Sequence, residues 1–239
     1  MEIKHKKVLT FDCYGTLIDW EQGIIESLKP ILTAQNVKIS DEEILFQFGQ
    51  TEHIVQERSP KLLYHKVLEE VLYSIGDTFQ FQLTQTQAQT FSSSIKNWLP
   101  FPDTVAALQK LGNYFKLIIV SNVDNTSLAT TLRHLKVSFH RIFTAQEIGA
   151  YKPDEKVFTF VFDKLSNEDI SKQEILHVAE SLFHDHVPAQ KLHLDSIWIN
   201  RRFNKSNPGA TPGVDKSIIT CSTFNSLIEF AEWVEKKLS

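Results

Sequence analysis

No apolar run in this chain approaches the roughly 20 residues that a bilayer-spanning helix needs. The N-terminal stretch carries Lys4, Lys6 and Lys7 but passes straight into a short strand-like run, with no small-residue cleavage site. Neither a membrane span nor a targeting segment is expected. Basic residues are not in excess: 25 Lys and Arg against 29 Asp and Glu leave a net charge of -4. Nothing resembles the Lys/Arg stripe by which a protein holds nucleic acid or an anionic membrane. Cysteine is scarce, and Cys13 and Cys221 lie too far apart in sequence to suggest a disulfide framework or a zinc motif. These absences leave a cytoplasmic protein acting on a small molecule, with no nucleic acid, no membrane and no metal expected. Its 239 residues, 42% of them hydrophobic, suffice for a sizeable core.

The apolar run Val8–Phe11 ends in a polar turn and predicts a buried first strand. The stretch from Asp19 to about Trp98 reads as helices only: Trp20 to Leu32, Asp41 to Phe48 behind the candidate cap Ser40, and Leu62 to Ile75 behind Ser59–Pro60. From Phe101 onward, strands and helices alternate. The predicted strands are 116–120, 141–144, 175–179 and 196–200; the predicted helices are 103–111, 127–135, 153–165, 188–192 and 223–238. Such alternation implies a parallel sheet covered on both faces. The expected fold is therefore α/β, a Rossmann-like core of residues 1–18 and 99–239 interrupted by an all-helical cap of residues 19–98. The Asn-, Ser-, Pro- and Gly-rich stretch 204–213 reads as an exposed loop.

Asp12 follows the first strand, and open α/β folds bind ligands at the carboxyl ends of their strands. Ser121 and Asn122 close a second strand, Lys152 lies beyond a third, and Glu180 and Asp185 follow a fourth. Topology thus gathers a carboxylate that could act as nucleophile and a cation to steady it. It adds a hydroxyl and an amide for developing charge, and a second carboxylate to orient water. Arg201 and Arg202 read as an ion-paired or solvated pair, and His184 and His186 beside Asp185 offer no regular metal geometry.

Phe11–Leu17 (FDCYGTL), Val120–Asn122 (VSN), Tyr151–Asp154 (YKPD) and Val178–Asp185 (VAESLFHD) resemble, in order, the four motifs of haloacid dehalogenase-like hydrolases. The resemblance spans nearly the whole chain. It implies that Asp12 attacks the substrate to form a covalent ester. Thr16 and Lys152 would hold its carboxylate, Ser121 and Asn122 would bind substrate, and Asp185 would position Lys152 and water. Phosphatases of the superfamily carry a second Asp where this chain has Tyr14, a residue that resembles the 2-haloacid dehalogenase branch, which works without metal. The resemblance also allows a homodimer.

Three positions depart from that branch. No Arg or Lys occurs in Ile39–Thr51, where the dehalogenases carry a halide-binding arginine; Phe158 replaces a tyrosine, and Leu182 an asparagine. Glu180 stands where the dehalogenases have serine. The segments Asp12–Trp20, Lys96–Thr104, Tyr151–Pro153 and Ala179–His186 look especially similar to the L-azetidine-2-carboxylate hydrolases, which open a strained ring. By that likeness Glu180 would sit beside a departing amine, with Tyr14, Trp20 and Phe158 near the substrate. The expected activity is cleavage of a C–N or C–halogen bond at the 2-carbon of a small carboxylic acid, without cofactor. The alternatives are a magnesium-dependent phosphatase using Asp12 and Glu180, and a degenerate relative that only binds.

Overall fold

The computed structural model describes residues 2–215, 217 and 220–239. Its centre is a six-stranded parallel sheet in the order β3-β2-β1-β4-β5-β6, built from β1 (Val8–Phe11), β2 (Lys116–Ser121), β3 (Arg141–Thr144), β4 (Ile175–Ala179), β5 (Ser196–Ile199) and β6 (Ser222–Phe224). β1 and β4 are buried at every position, as continuous apolar runs require when helices cover both faces. The register sets Phe11 opposite Ile119 on one side and Val178 on the other. Residues that follow β1, β2 and β4 therefore emerge side by side at one edge of the sheet. Thr10 lies opposite His177, the polar pair inside these otherwise apolar strands.

Between β1 and α5 (Thr104–Leu111) the chain forms α1 (Trp20–Ala34), α2 (Asp41–Arg58), α3 (Tyr64–Thr78), α4 (Gln85–Ser92) and a 3-10 turn at Ser93–Asn97. Consecutive helices of this insertion pack on one another. The two crossings lie together: Asp19 N–H donates to the Leu99 carbonyl at 2.9 Å, and Phe101 N–H to the Leu17 carbonyl at 3.1 Å. Trp98 fits against Gly23 so closely that a Cβ there would meet its ring at 2.3 Å. The remaining helices are α6 (Asn125–Leu135), α7 (Ala145–Ile148), α8 (Glu155–Ser166), α9 (Val187–Lys191) and α10 (Leu227–Leu238). Among the described residues no helix is long and apolar enough to cross a membrane.

Several local expectations need correction. Ser40 caps α2 as predicted, but the helix continues to Arg58, and Ser59 closes it rather than opening α3. α4 was not expected; Thr84 and Gln87 form a reciprocal capping box that starts it in a glutamine-rich stretch. The sequence predicts a terminal helix from Thr223, yet Ser222–Phe224 pairs with β5 as a sixth strand. The helix waits for Ser226, whose hydroxyl accepts from Glu229 N–H. The loop read as exposed is partly buried: Ala210 N–H donates to Glu21 of α1, and Ala210 packs on Gly49 of α2. Arg202, just before the loop, pairs with Glu21 and with Glu42 of α2, fastening this segment to the helical insertion.

Candidate active site

Asp12 lies at the carboxyl edge of the sheet and is 6% exposed. One carboxylate oxygen accepts from the Thr16 hydroxyl at 2.8 Å and the other from Lys152 Nζ at 2.8 Å. Lys152 is buried and also donates to Asp185 at 2.7 Å and to the Val120 carbonyl at 3.1 Å. Burial alone would push its ammonium down, but the two carboxylates hold it above its ordinary value. Burial pushes the Asp12 carboxyl up, against Lys152 and Thr16. Burial also opposes the charge on Asp185, yet Lys152 and His177 hold that group well below the usual carboxylate range.

Behind these residues runs a buried chain. Thr10 Oγ1 lies 2.9 Å from His177 Nδ1, and His177 Nε2 lies 2.9 Å from the same Asp185 oxygen that meets Lys152. The other Asp185 oxygen, the Ser121 hydroxyl and His184 Nε2 are buried without a hydrogen-bond partner among the described residues. All three residues line one small cavity that also holds Asp12, Tyr14, Trp20, Asn122, Lys152, Ser181 and Thr211. Buried polar atoms are nearly always satisfied, so this convergence points to a space where a polar substrate or water completes the bonding.

Not every expected residue reaches the cavity through a free group. Asn122 lines it but is committed: its amide donates to the Lys152 carbonyl at 3.0 Å and its oxygen accepts from Lys152 N–H at 2.7 Å, fixing the lysine's backbone. Tyr14 directs its hydroxyl to Thr131 at 2.6 Å. Phe158 does not line the cavity. Its ring packs edge-on against His177 at 5.2 Å in the buried core. Glu180 likewise turns away, into an adjacent cavity with Trp198, Asn200 and Arg202. Burial, then Glu21 and Asp12, push its carboxyl up to about 8. His186 is spent on Ser196 and the Ala179 carbonyl, and among the described residues no group of His, Cys, Asp and Glu could hold a metal.

The helical insertion supplies residues that were not singled out from the sequence: Glu52 and Gln56 from α2 and Tyr64 from α3. Their signal was present. The buried positions of α2 run Ile44, Leu45, Phe48, Gly49, Glu52, Val55 and Gln56, so two polar residues occupy the register of the apolar stripe. His177 and Thr10 stand out in the same way, as polar residues inside buried strands.

The fold and this site define a parallel α/β core with an aspartate, a lysine and a second aspartate beyond the strand ends. The haloacid dehalogenase-like hydrolase family model matches residues 9–199, and the chain belongs to that family. It is 21% identical over 202 residues, covering 83% of this chain and 84% of the relative, to (S)-2-haloacid dehalogenase 4A of Burkholderia cepacia. The fold is similar to that of the L-2-haloacid dehalogenase of Xanthobacter autotrophicus, with a TM-score of 0.76, 16% identity and coverage of 96% of this chain and 98% of that one. The magnesium-bound HAD-hydrolase YfnB of Bacillus subtilis is similar too, with a TM-score of 0.77, 20% identity and coverage of 97% and 100%.

Proposed function

We propose that this hydrolase uses the Asp12 carboxylate to displace a leaving group from the 2-carbon of a small carboxylic acid, the leaving atom being a halogen or a nitrogen. The observation that carries the reading is the suspension of Asp12 between Thr16 and Lys152 at the wall of a small cavity. An Asp12 oxygen bonds to the 2-carbon as the bond to the leaving group breaks, inverting the centre. Water then adds to the Asp12 ester carbonyl, the hydroxy acid departs, and the carboxylate is restored. The unpartnered Asp185 oxygen is available to orient that water, and the free Ser121 hydroxyl to meet the substrate's carboxylate. The helices of residues 19–98 act as the cap that shapes the cavity, and residues 1–18 and 99–239 as the catalytic core.

The phosphatase alternative is less well supported by the donor set. Tyr14 replaces the second carboxylate and is bonded to Thr131, the Lys152 ammonium already fills the space between Asp12 and Asp185, and Glu180 lines another cavity. These residues do not fit magnesium, and no step is derived through it.

Chelator-treated protein offered L-azetidine-2-carboxylate and L-2-chloropropionate, beside an aryl phosphate with magnesium, separates the readings. Metal-free turnover of a carboxylate is expected. A single turnover in ¹⁸O-water should label Asp12, and Asp12→Asn should lose about 10³-fold or more in kcat. Activity on the phosphate alone, or label that never reaches Asp12, overturns the reading.

A further inference from the structure

We propose that Glu52 is the specificity residue of this site, a counter-ion that selects substrates whose leaving atom is a cationic amine. The inference rests on the ester mechanism proposed above and adds the substrate's charge. Glu52 sits on α2, is 3% exposed, and lines the same cavity as Asp12. Tyr64 of α3 donates its hydroxyl to one Glu52 oxygen at 2.6 Å, which aims the carboxyl without neutralising it. Among the described residues the other oxygen has no hydrogen-bond partner, and no cation lies within ion-pair distance of the group.

The charges around it are known from every side. Asp12 and Tyr14 approach from the end of β1, Tyr151 and Lys152 from the segment after α7, His184 and Asp185 from the turn after β4, and Tyr64 from α3. Burial holds His184 neutral near neutral pH and the tyrosines protonated. Lys152 is the one cation among the described lining residues, and it is already bonded to Asp12 and Asp185. A cavity with three carboxyl groups and one committed ammonium repels a departing halide or a phosphate ester. It attracts an ammonium group. The missing charge opposite Glu52 is the substrate's own.

The step balances without another reactant. The substrate nitrogen enters as a ring ammonium paired with ionised Glu52, while its carboxylate meets Ser121. Asp12 forms a C–O bond to the 2-carbon; the C–N bond breaks and its electron pair stays on nitrogen, turning the ammonium into a neutral chain amine that takes a proton from solvent. A strained ring makes this departure feasible, since opening it releases the strain. Water hydrolyses the ester to an amino-2-hydroxy acid.

Burial, opposed by Tyr64 and reinforced by Asp12, brings Glu52 up to about 7, so its charge changes within a convenient range. The experiment compares L-azetidine-2-carboxylate with L-2-chloropropionate from pH 6 to 9, in the wild type and in Glu52→Gln and Tyr64→Phe variants. For the cyclic amine, kcat/KM should rise through a limb near pH 7 and level off above it. For the haloacid any limb should run the other way. Glu52→Gln, which keeps the size of the side chain, should abolish both limbs and lower the preference for the amine by about 100-fold. Tyr64→Phe removes a bond that favours ionised Glu52 and should move the limb to higher pH. An unchanged amine preference in folded Glu52→Gln, or a limb that survives it, overturns the role of Glu52 and leaves the Asp12 ester standing. Wild-type protein that hydrolyses neither compound overturns both.

Discussion

Replacing Lys152 with methionine tests the site and the stability argument together. The side chains are similar in length, so the packing volume changes little, but three donations are lost: to Asp12 at 2.8 Å, Asp185 at 2.7 Å and the Val120 carbonyl at 3.1 Å. Asp12 and Asp185 then face each other as buried carboxyls with no cation between them. Breaking a buried ion network by removing one member costs about 3–5 kcal/mol. For a chain of this size that corresponds to a fall in Tm of about 6–20 °C. The sign of the pH dependence follows from the same groups. In the wild type Asp185 is held below its ordinary value, so its contribution is present above the unfolded carboxyl range and lost in acid. In the variant both carboxyls titrate above that range, and stability drains away as pH rises through them. The gap between the two proteins should therefore widen from pH 4 to pH 8, as read from urea denaturation at several pH values. Adding Asp185→Asn to the variant should recover part of the loss. A gap below about 1 kcal/mol at pH 8, or one independent of pH, would refute the account of Lys152 as the charge that holds the two aspartates.

Two further predictions concern stability. His184 and His186 are kept near 4 by burial, so each should cost on the order of 3 kcal/mol as pH falls from about 6.5 to 4. Glu52 and Glu180 act oppositely: raised to about 7 and 8, they contribute fully below the unfolded carboxyl value and lose that contribution as pH rises. Glu180, partly open to its own cavity, contributes less than its full shift implies. The result should be a plateau between about pH 4.5 and 6.5 and a decline on the order of 2 kcal/mol by pH 8, which Glu180→Gln should flatten; stability that keeps rising to pH 8 would contradict it. Gly49→Ala places a Cβ 2.4 Å from the Ala210 carbonyl oxygen, in backbone that must shift. Despite the better helix propensity of alanine, a net loss of about 1–2 kcal/mol and faster proteolysis between Asn204 and Gly213 are expected. KM should rise because Thr211 lines the cavity, and a variant as protease-resistant as the wild type would show that the loop does not clamp α2.

Much of the fold was legible because each strand of the core announces itself locally. Val8–Phe11 and Ile175–Ala179 are buried throughout and apolar but for Thr10 and His177, as strands covered on both faces must be, and each leads into the polar residues of the site. Chain order then brought Asp12, Ser121, Lys152 and Asp185 to one edge. β6 was hidden because three residues ahead of a capped helix carry too little pattern, and only pairing with β5 makes them a strand.

What the sequence determined by itself was the alternation of strands and helices, the position of the inserted helices and the acids and lysine at the strand ends. These depend on hydrophobic period and on residues close to one another along the chain. Only the tertiary structure decided which side chains face the cavity. Glu180, inside the fourth motif, points into a neighbouring space, Phe158 packs against His177 in the core, and Glu52, about forty residues from Asp12, lines the cavity with it. The loop at 204–213 reads as polar and exposed, yet it docks on α1 and α2 through Ala210, beside the Arg202 ion pairs just before it. Facing and docking depend on how α2 lies over the sheet, and that is set by packing between segments far apart in the chain.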